Sequence, residues 1–197
     1  MPNWCITEYA FYGEEKNALR LLDDIKSLPT RIKDTNNDVF SYIGNPYWLG
    51  YIRSELLSEV NENIYMRGEI SYIDDCLCLL ENGMAAVKFS TETAWCACTE
   101  LMYFLANKYS LQVYYYSEEP GMGIFETNDE NCMFFAFRYM IDSDSEGIEY
   151  YNDFDEVADT IEEITGIRIS DMSEIKEKLS SFNNEEKFLF VNQISVV

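Results

Sequence analysis

Two residue classes in this 197-residue chain could carry chemistry: its thiols and its carboxylates. The thiols are Cys5, Cys76, Cys78, Cys96, Cys98 and Cys132, and four of them form two Cys-x-Cys pairs. Structural zinc sites favour pairs separated by two to four residues, and the chain contains no histidine to complete a mixed site. Within an alternating strand, Cys-x-Cys puts both thiols on one face, where each behaves as a small hydrophobe. The cysteines are therefore expected to be reduced and to lie in the core, with no cofactor. The missing histidine also removes every mechanism that needs an imidazole, including Ser-His-Asp and Cys-His hydrolysis and His-ligated metals. An enzyme built on this chain would run on carboxylates, Tyr, Cys or Lys alone. No residue is assigned a catalytic role, and a non-enzymatic protein is the expectation.

The carboxylates are the dominant feature. Asp and Glu number 36 against 14 Lys and Arg, a formal charge of −22. They are unevenly spread: from Asp142 to Glu163 there are ten acidic residues and no basic one. Asp142, Asp144, Glu146, Glu149, Asp155, Glu156, Asp159, Glu162 and Glu163 are the candidate partner-binding residues. Asp155, Asp159 and Glu162 recur at helical spacing, which makes one helix face a row of like charges that costs a few tenths of a kcal/mol per pair. A solvated face is the plain reading of such a run. The sharper one is a folded surface that imitates nucleic-acid phosphates and occupies a basic groove, since B-DNA carries a charge about every 1.7 Å along its axis. The expected partner is then a basic protein surface, such as that of a nucleic-acid-binding protein. The same charge disfavours direct contact with nucleic acid. A calcium site is an alternative: Asp142, Asp144, Glu146, Gly147 and Asp153 stand at positions 1, 3, 5, 6 and 12 of an EF-hand-like loop, although Asp replaces the usual Glu at 12. A carboxylate-pair hydrolase is the other, with 36 acids and no pair that spacing singles out.

The elements that must position these groups read as strand and helix in mixture. Residues 3–12 alternate as a strand. Residues 14–28 form an amphipathic helix with Ala18, Leu21, Leu22 and Ile25 in a stripe, closed by Pro29. Residues 30–47 are loop-like and 45–60 suggest a shorter helix with an aromatic face. Segments 66–73, 76–81 and 84–91 read as strands, with Asn82-Gly83 a hairpin signal. A helix over 93–110, strands at 111–117, 123–127, 131–141 and 148–151, helices at 154–165 and 170–182 and a C-terminal strand complete the order. Ser170 or Asp171 is the cap expected for the last helix. This is the pattern of an α+β fold, with helices on one face of a mostly antiparallel sheet. A single domain over 1–197 is expected: a ferredoxin-like split β-α-β core over 1–128 and an acidic strand-helix-helix-strand extension over 129–197. The start lacks a basic n-region, and no stretch approaches the roughly 20 apolar residues that span a bilayer. A soluble, cytoplasmic protein with no membrane partner is the expectation.

Met1-Pro-Asn-Trp-Cys5, Thr93-Ala-Trp95 and Glu119-Pro-Gly-Met-Gly123, in this order and with a helix and a strand between the last two, resemble the YubB-like proteins of plasmids and phages. The resemblance implies a ferredoxin-like domain of mobile-element origin and carries no catalytic residues. It covers about the first two-thirds of the chain, and Cys96-Ala-Cys98 stands where the family often has prolines. On physical grounds Trp4 and Trp95 are expected as packed anchors. Pro120-Gly121 is expected as a type II turn with Gly121 at positive φ.

Overall fold

Strand β1 (Trp4–Glu14) buries Cys5, Thr7, Tyr9 and Phe11 and exposes Trp4, Ile6 and Glu8, the period of two that a half-buried strand imposes. In the computed structural model, residues 3–34, 45–60, 63–184 and 187–197 are described. They form five α-helices and ten strands, with sheets that are mostly antiparallel. The chain divides into two compact units, Met1–Ile124 and Phe125–Val197. No helix among the described residues is long and apolar enough to cross a membrane.

In the first unit, β2 (Gly68–Ile73), β4 (Met84–Ala94) and β5 (Gln112–Glu119) join β1 in the order β5-β1-β4-β2, every neighbour antiparallel. The short β3 (Cys78–Leu79) pairs the far end of β4. Asn82 and Gly83, at φ 59° and 72°, turn the chain between β3 and β4, as the Asn-Gly pair predicts. Helices α1 (Glu15–Asp34) and α3 (Thr99–Tyr109) lie on one face. Leu21, Leu22, Ile25, Leu28, Leu101, Met102 and Leu105 pack there against Tyr9, Phe11, Val87, Phe89, Val113 and Tyr115. Phe11 stacks on Phe89 at 5.1 Å between centroids. The short helix α2 (Leu49–Tyr51), continued by a π-helical turn over Ile52–Leu56, adds Leu49, Ile52 and Leu56 to the same core.

Two expectations are corrected here, and a third lies mostly outside the described residues. Pro29 does not end α1, which runs to Asp34. Proline cannot supply the N–H that Ile25 would bond, yet buried Leu28 and partly buried Ile32 continue the apolar stripe, and packing outweighs one lost hydrogen bond. The helix expected over 93–110 begins only at Thr99, because β4 runs through Ala94 and Trp95 then takes φ 75°. The expected loop over 30–47 falls mostly on residues 35–44, outside the described residues.

In the second unit, β7 (Tyr139–Ser143) is paired antiparallel by β8 (Gly147–Tyr151) and β9 (Leu189–Gln193), in the order β8-β7-β9. Beneath α4 (Phe154–Thr165) and α5 (Met172–Leu179), Val157, Ile161, Ile175 and Leu179 pack with Ile141 and Leu189. Each helix opens with reciprocal capping. The Asp153 carboxylate accepts from the Glu156 N–H while Glu156 accepts from Asn152, and Asp171 accepts from Ser173 while Glu174 accepts from Ser170. Gly166 ends α4 at φ 72°. The parallel pair β6 (Ile124–Thr127) and β10 (Ser195–Val196) meets at the C-terminus.

Residues 131–138, expected as a strand, are irregular. A fully buried carboxylate explains why: Asp129 accepts hydrogen bonds from the N–H groups of Met133, Phe134 and Phe135 at 2.9, 2.6 and 2.9 Å. Arg138 donates to the carbonyls of Asp129, Glu130, Phe135 and Phe137. Two side chains thus satisfy backbone groups that a ladder would otherwise have to satisfy.

A polar cluster ties the two main helices of the first unit together. The Tyr109 hydroxyl donates to Asp24 at 2.6 Å, Arg31 pairs with the same carboxylate, and Arg20 lies 5.7 Å over the Tyr109 ring. Burial, and then the Asp24 carboxylate, hold the Tyr109 phenol well above its ordinary range. Tyr109→Phe is expected to lower stability by about 1.5–3 kcal/mol, the worth of a hydrogen bond to a charged group, as read by urea unfolding.

Candidate functional site

Three short motifs far apart in the sequence come together at one end of the first sheet. The Asn3 carbonyl accepts from the Trp95 N–H at 2.9 Å, and Trp4 is paired with Ala94 and Cys5 with Thr93. A Cβ on Gly121 would lie 2.5 Å from Asn3 Nδ2 and 2.8 Å from Glu119 Oε1. Glu119 is buried and its carboxylate accepts from the Gly121 and Met122 N–H groups at 3.0 and 2.5 Å. The expected type II turn is corrected: Gly123, at φ 69°, takes the left-handed position, whereas Gly121 is needed for want of a side chain against Asn3. The anchor role of the tryptophans is corrected as well, since Trp4 is 52% and Trp95 45% exposed.

Beneath this junction the sheet's buried face is polar. Cys5 Sγ and Thr7 Oγ1 each lie 3.1 Å from Ser117 Oγ, and Thr93 Oγ1 donates to the carbonyls of Cys96 and Cys5 at 2.7 and 3.4 Å. Burial pushes the Cys5 thiol up and the Cys98 thiol up to about 12, which makes both poor nucleophiles. All six thiols are free, and only Cys5 and Cys98 are buried; Cys78 is half-buried, and Cys76, Cys96 and Cys132 are exposed. The expectation of core cysteines therefore holds for two. Cys76 and Cys96 lie in bends next to strands rather than in them, so strand alternation does not turn them inward.

The opposite face of this sheet carries carboxylates that sequence reasoning missed. Register aligns Glu118, Ile6, Glu92 and Glu69 in one line across β5, β1, β4 and β2, with Glu8 two residues further along β1. Glu69 and Glu92 are directly opposite, a pairing that weakens a sheet. Partial desolvation, and next the Glu118 charge, raise the Glu8 carboxyl above its ordinary value, and Lys88 opposes this. Strand parity assigns these residues to one face from sequence, but their alignment needs the register.

In the second unit the acidic residues are displayed much as their spacing implies. Asp155, Glu156, Asp159, Glu162 and Glu163 are exposed on α4, whose Val157 and Ile161 are buried. Asp144, Glu146 and Glu149 are exposed and Asp142 is half-buried on the β7–β8 hairpin. A pocket of about 470 Å³ joins Asp144, Glu146 and Glu149 to Glu163, with Ser145, Thr160, Ile164, Phe182 and Lys187 completing its wall. Asp155, Glu156, Asp159 and Glu162 are not part of it. Among the described residues none of the nine carboxylates forms an ion pair. The calcium-loop positions fall on a β-hairpin instead of a helix-loop-helix, and Asp153 is engaged as the α4 cap. Among the described residues no group of three or more Cys, Asp or Glu is placed to hold a metal ion. Compared with family models, curated proteins and solved structures, the chain matches none.

Two outcomes are expected. Adding Ca²⁺ gives no EDTA-reversible shift in melting temperature. Because the folded state holds the Glu8 proton more tightly than the unfolded chain, wild-type stability gains a contribution as pH falls through the folded-state pKa, complete below the unfolded value near 4.3. Glu8→Gln removes that contribution and raises stability at pH 7, which paired pH-dependent unfolding curves measure.

Proposed function

We propose that this chain is a non-catalytic interaction protein of mobile-element origin whose acidic second unit binds a basic partner as a nucleic-acid mimic, with a protein of host defence as its target. One observation carries the reading: nine of the ten carboxylates from Asp142 to Glu163 are exposed, and none is paired to a cation among the described residues. The second unit concentrates the charge, with 18 acidic residues against five basic in 73 residues, a formal −13 out of −22. Helix α4, 12 residues and about 18 Å long, carries five carboxylates. That is roughly one per 3.6 Å, close to the 3.4 Å spacing of charges along one strand of B-DNA.

The first unit is read as the ferredoxin-like core of a YubB-like protein. Two features support this: the order β5-β1-β4-β2 with α1 and α3 on one face, and the meeting of Asn3, Trp95 and Gly121. The motifs then serve to fasten the sheet end together, which explains why they recur in the family's order.

Immobilised protein exposed to host lysate is expected to retain a basic nucleic-acid-binding protein that high salt releases and duplex DNA displaces. The triple variant Asp155→Asn, Asp159→Asn, Glu162→Gln is expected to retain at least tenfold less of it. Recovery only of acidic or salt-insensitive partners would sink the proposal.

A further inference from the structure

The small sheet of the second unit has two unlike faces. Tyr139, Ile141, Tyr151, Leu189 and Val191 are turned to the core beneath α4 and α5. The other face carries Ile148, Asp142 and Phe190 in one line across β8, β7 and β9. Ile148 is 53% and Phe190 54% exposed, and Tyr150, against which Phe137 packs at 4.7 Å, is 42% exposed. Strand β8 ends the sheet, and its first four residues are all exposed. Lysine, proline or a bulge commonly blunts such an edge; the sequence Gly147-Ile-Glu-Tyr-Tyr151 has neither lysine nor proline, and its register with β7 is unbroken.

We propose that β8 is a docking rail, to which an extended basic segment of the partner adds as a fourth strand. The inference rests on the acidic-partner reading above and specifies its geometry. Residues of an added strand alternate between the two faces. On one face they meet Ile148 and Tyr150. On the other they meet Glu149 and the pocket it shares with Asp144, Glu146 and Glu163. The segment that fits has apolar residues alternating with Lys or Arg, its cations entering the carboxylate-lined pocket and its apolar side chains covering Ile148. Charge complementarity selects this occupant over a second copy of the chain, whose own β8 would bring Glu149 and a net −22 against the same edge.

The probe is a blocked (Lys-Val)₄ peptide, titrated by fluorescence anisotropy at physiological ionic strength. Its controls are the same peptide N-methylated at alternate residues, (Glu-Val)₄ and poly-lysine. The expected result is binding of (Lys-Val)₄ alone among the octapeptides, with N-methylation abolishing it while leaving the protein untouched. Ile148→Glu, at an exposed position and with an unchanged circular dichroism spectrum, is expected to weaken binding about tenfold even though it adds a negative charge. Equal or tighter binding by Ile148→Glu, or by the N-methylated peptide, overturns the rail and leaves the acidic-partner reading standing. Failure to bind poly-lysine overturns both. A wild-type dimer that Ile148→Glu dissociates overturns the rail in favour of self-pairing.

Discussion

The first unit depends on one pairing. Strand β1 is in register with β4 over all eleven of its residues and with β5 over seven. This places Tyr9 and Phe11 in the middle of the helix-covered core, where Phe89, Tyr115, Leu21 and Leu101 close around them. It also puts Asn3 beside Trp95 and Gly121. A shift of one residue would turn Tyr9 and Phe11 outward and bring Glu8 into the core, so core and junction are fixed by the same alignment. The polar cluster of Cys5, Thr7 and Ser117 then needs no water, because each hydroxyl or thiol has a neighbour supplied by that register.

The second unit solves a different problem. It must carry most of the chain's charge on a small body, and like charges oppose compaction. Separation of labour makes this tolerable. The apolar residues of α4 and α5 face one side of the small sheet, and the carboxylates face solvent or are put to use as caps. Asp153, Glu156, Asp171 and Glu174 stabilise helix starts, where negative charge opposes the positive end of the backbone dipole. The Asp129 carboxylate goes further and organises a whole loop from the inside.

Much of this is written locally, and what is local was legible. Asn82-Gly83, Gly166 and the Asp171 cap act on their own backbone within a few residues, and the acidic face of α4 follows from helical spacing. What depended on distant partners was not legible. Pro29 reads as a stop, but whether a helix stops there is settled by Leu28 and Ile32 finding the core. The segment 133–137 reads as a strand because Phe and Ala are apolar, and it has no ladder partner because Asp129 holds its amides. Gly121 is required by Asn3, over a hundred residues away, which no turn rule contains. The line Glu118-Ile6-Glu92-Glu69 is set by register, and composition gives no hint of it. In the acidic unit, the residues that share the pocket are divided between the hairpin and α4, so spacing named them without grouping them.

The centre of β8 has a consequence for the behaviour of the folded protein in bulk. An open sheet end ordinarily invites fibril growth, since each added chain presents the next identical end. Here an antiparallel copy centred on Glu149 would face its own carboxylate. The strand thus carries its own gatekeeper, and the gate is electrostatic. Acidification lowers the chain's net negative charge while leaving Ile148 and Phe190 as sticky as before. Colloidal stability at neutral pH and templated aggregation in acid are two faces of the same five-residue segment.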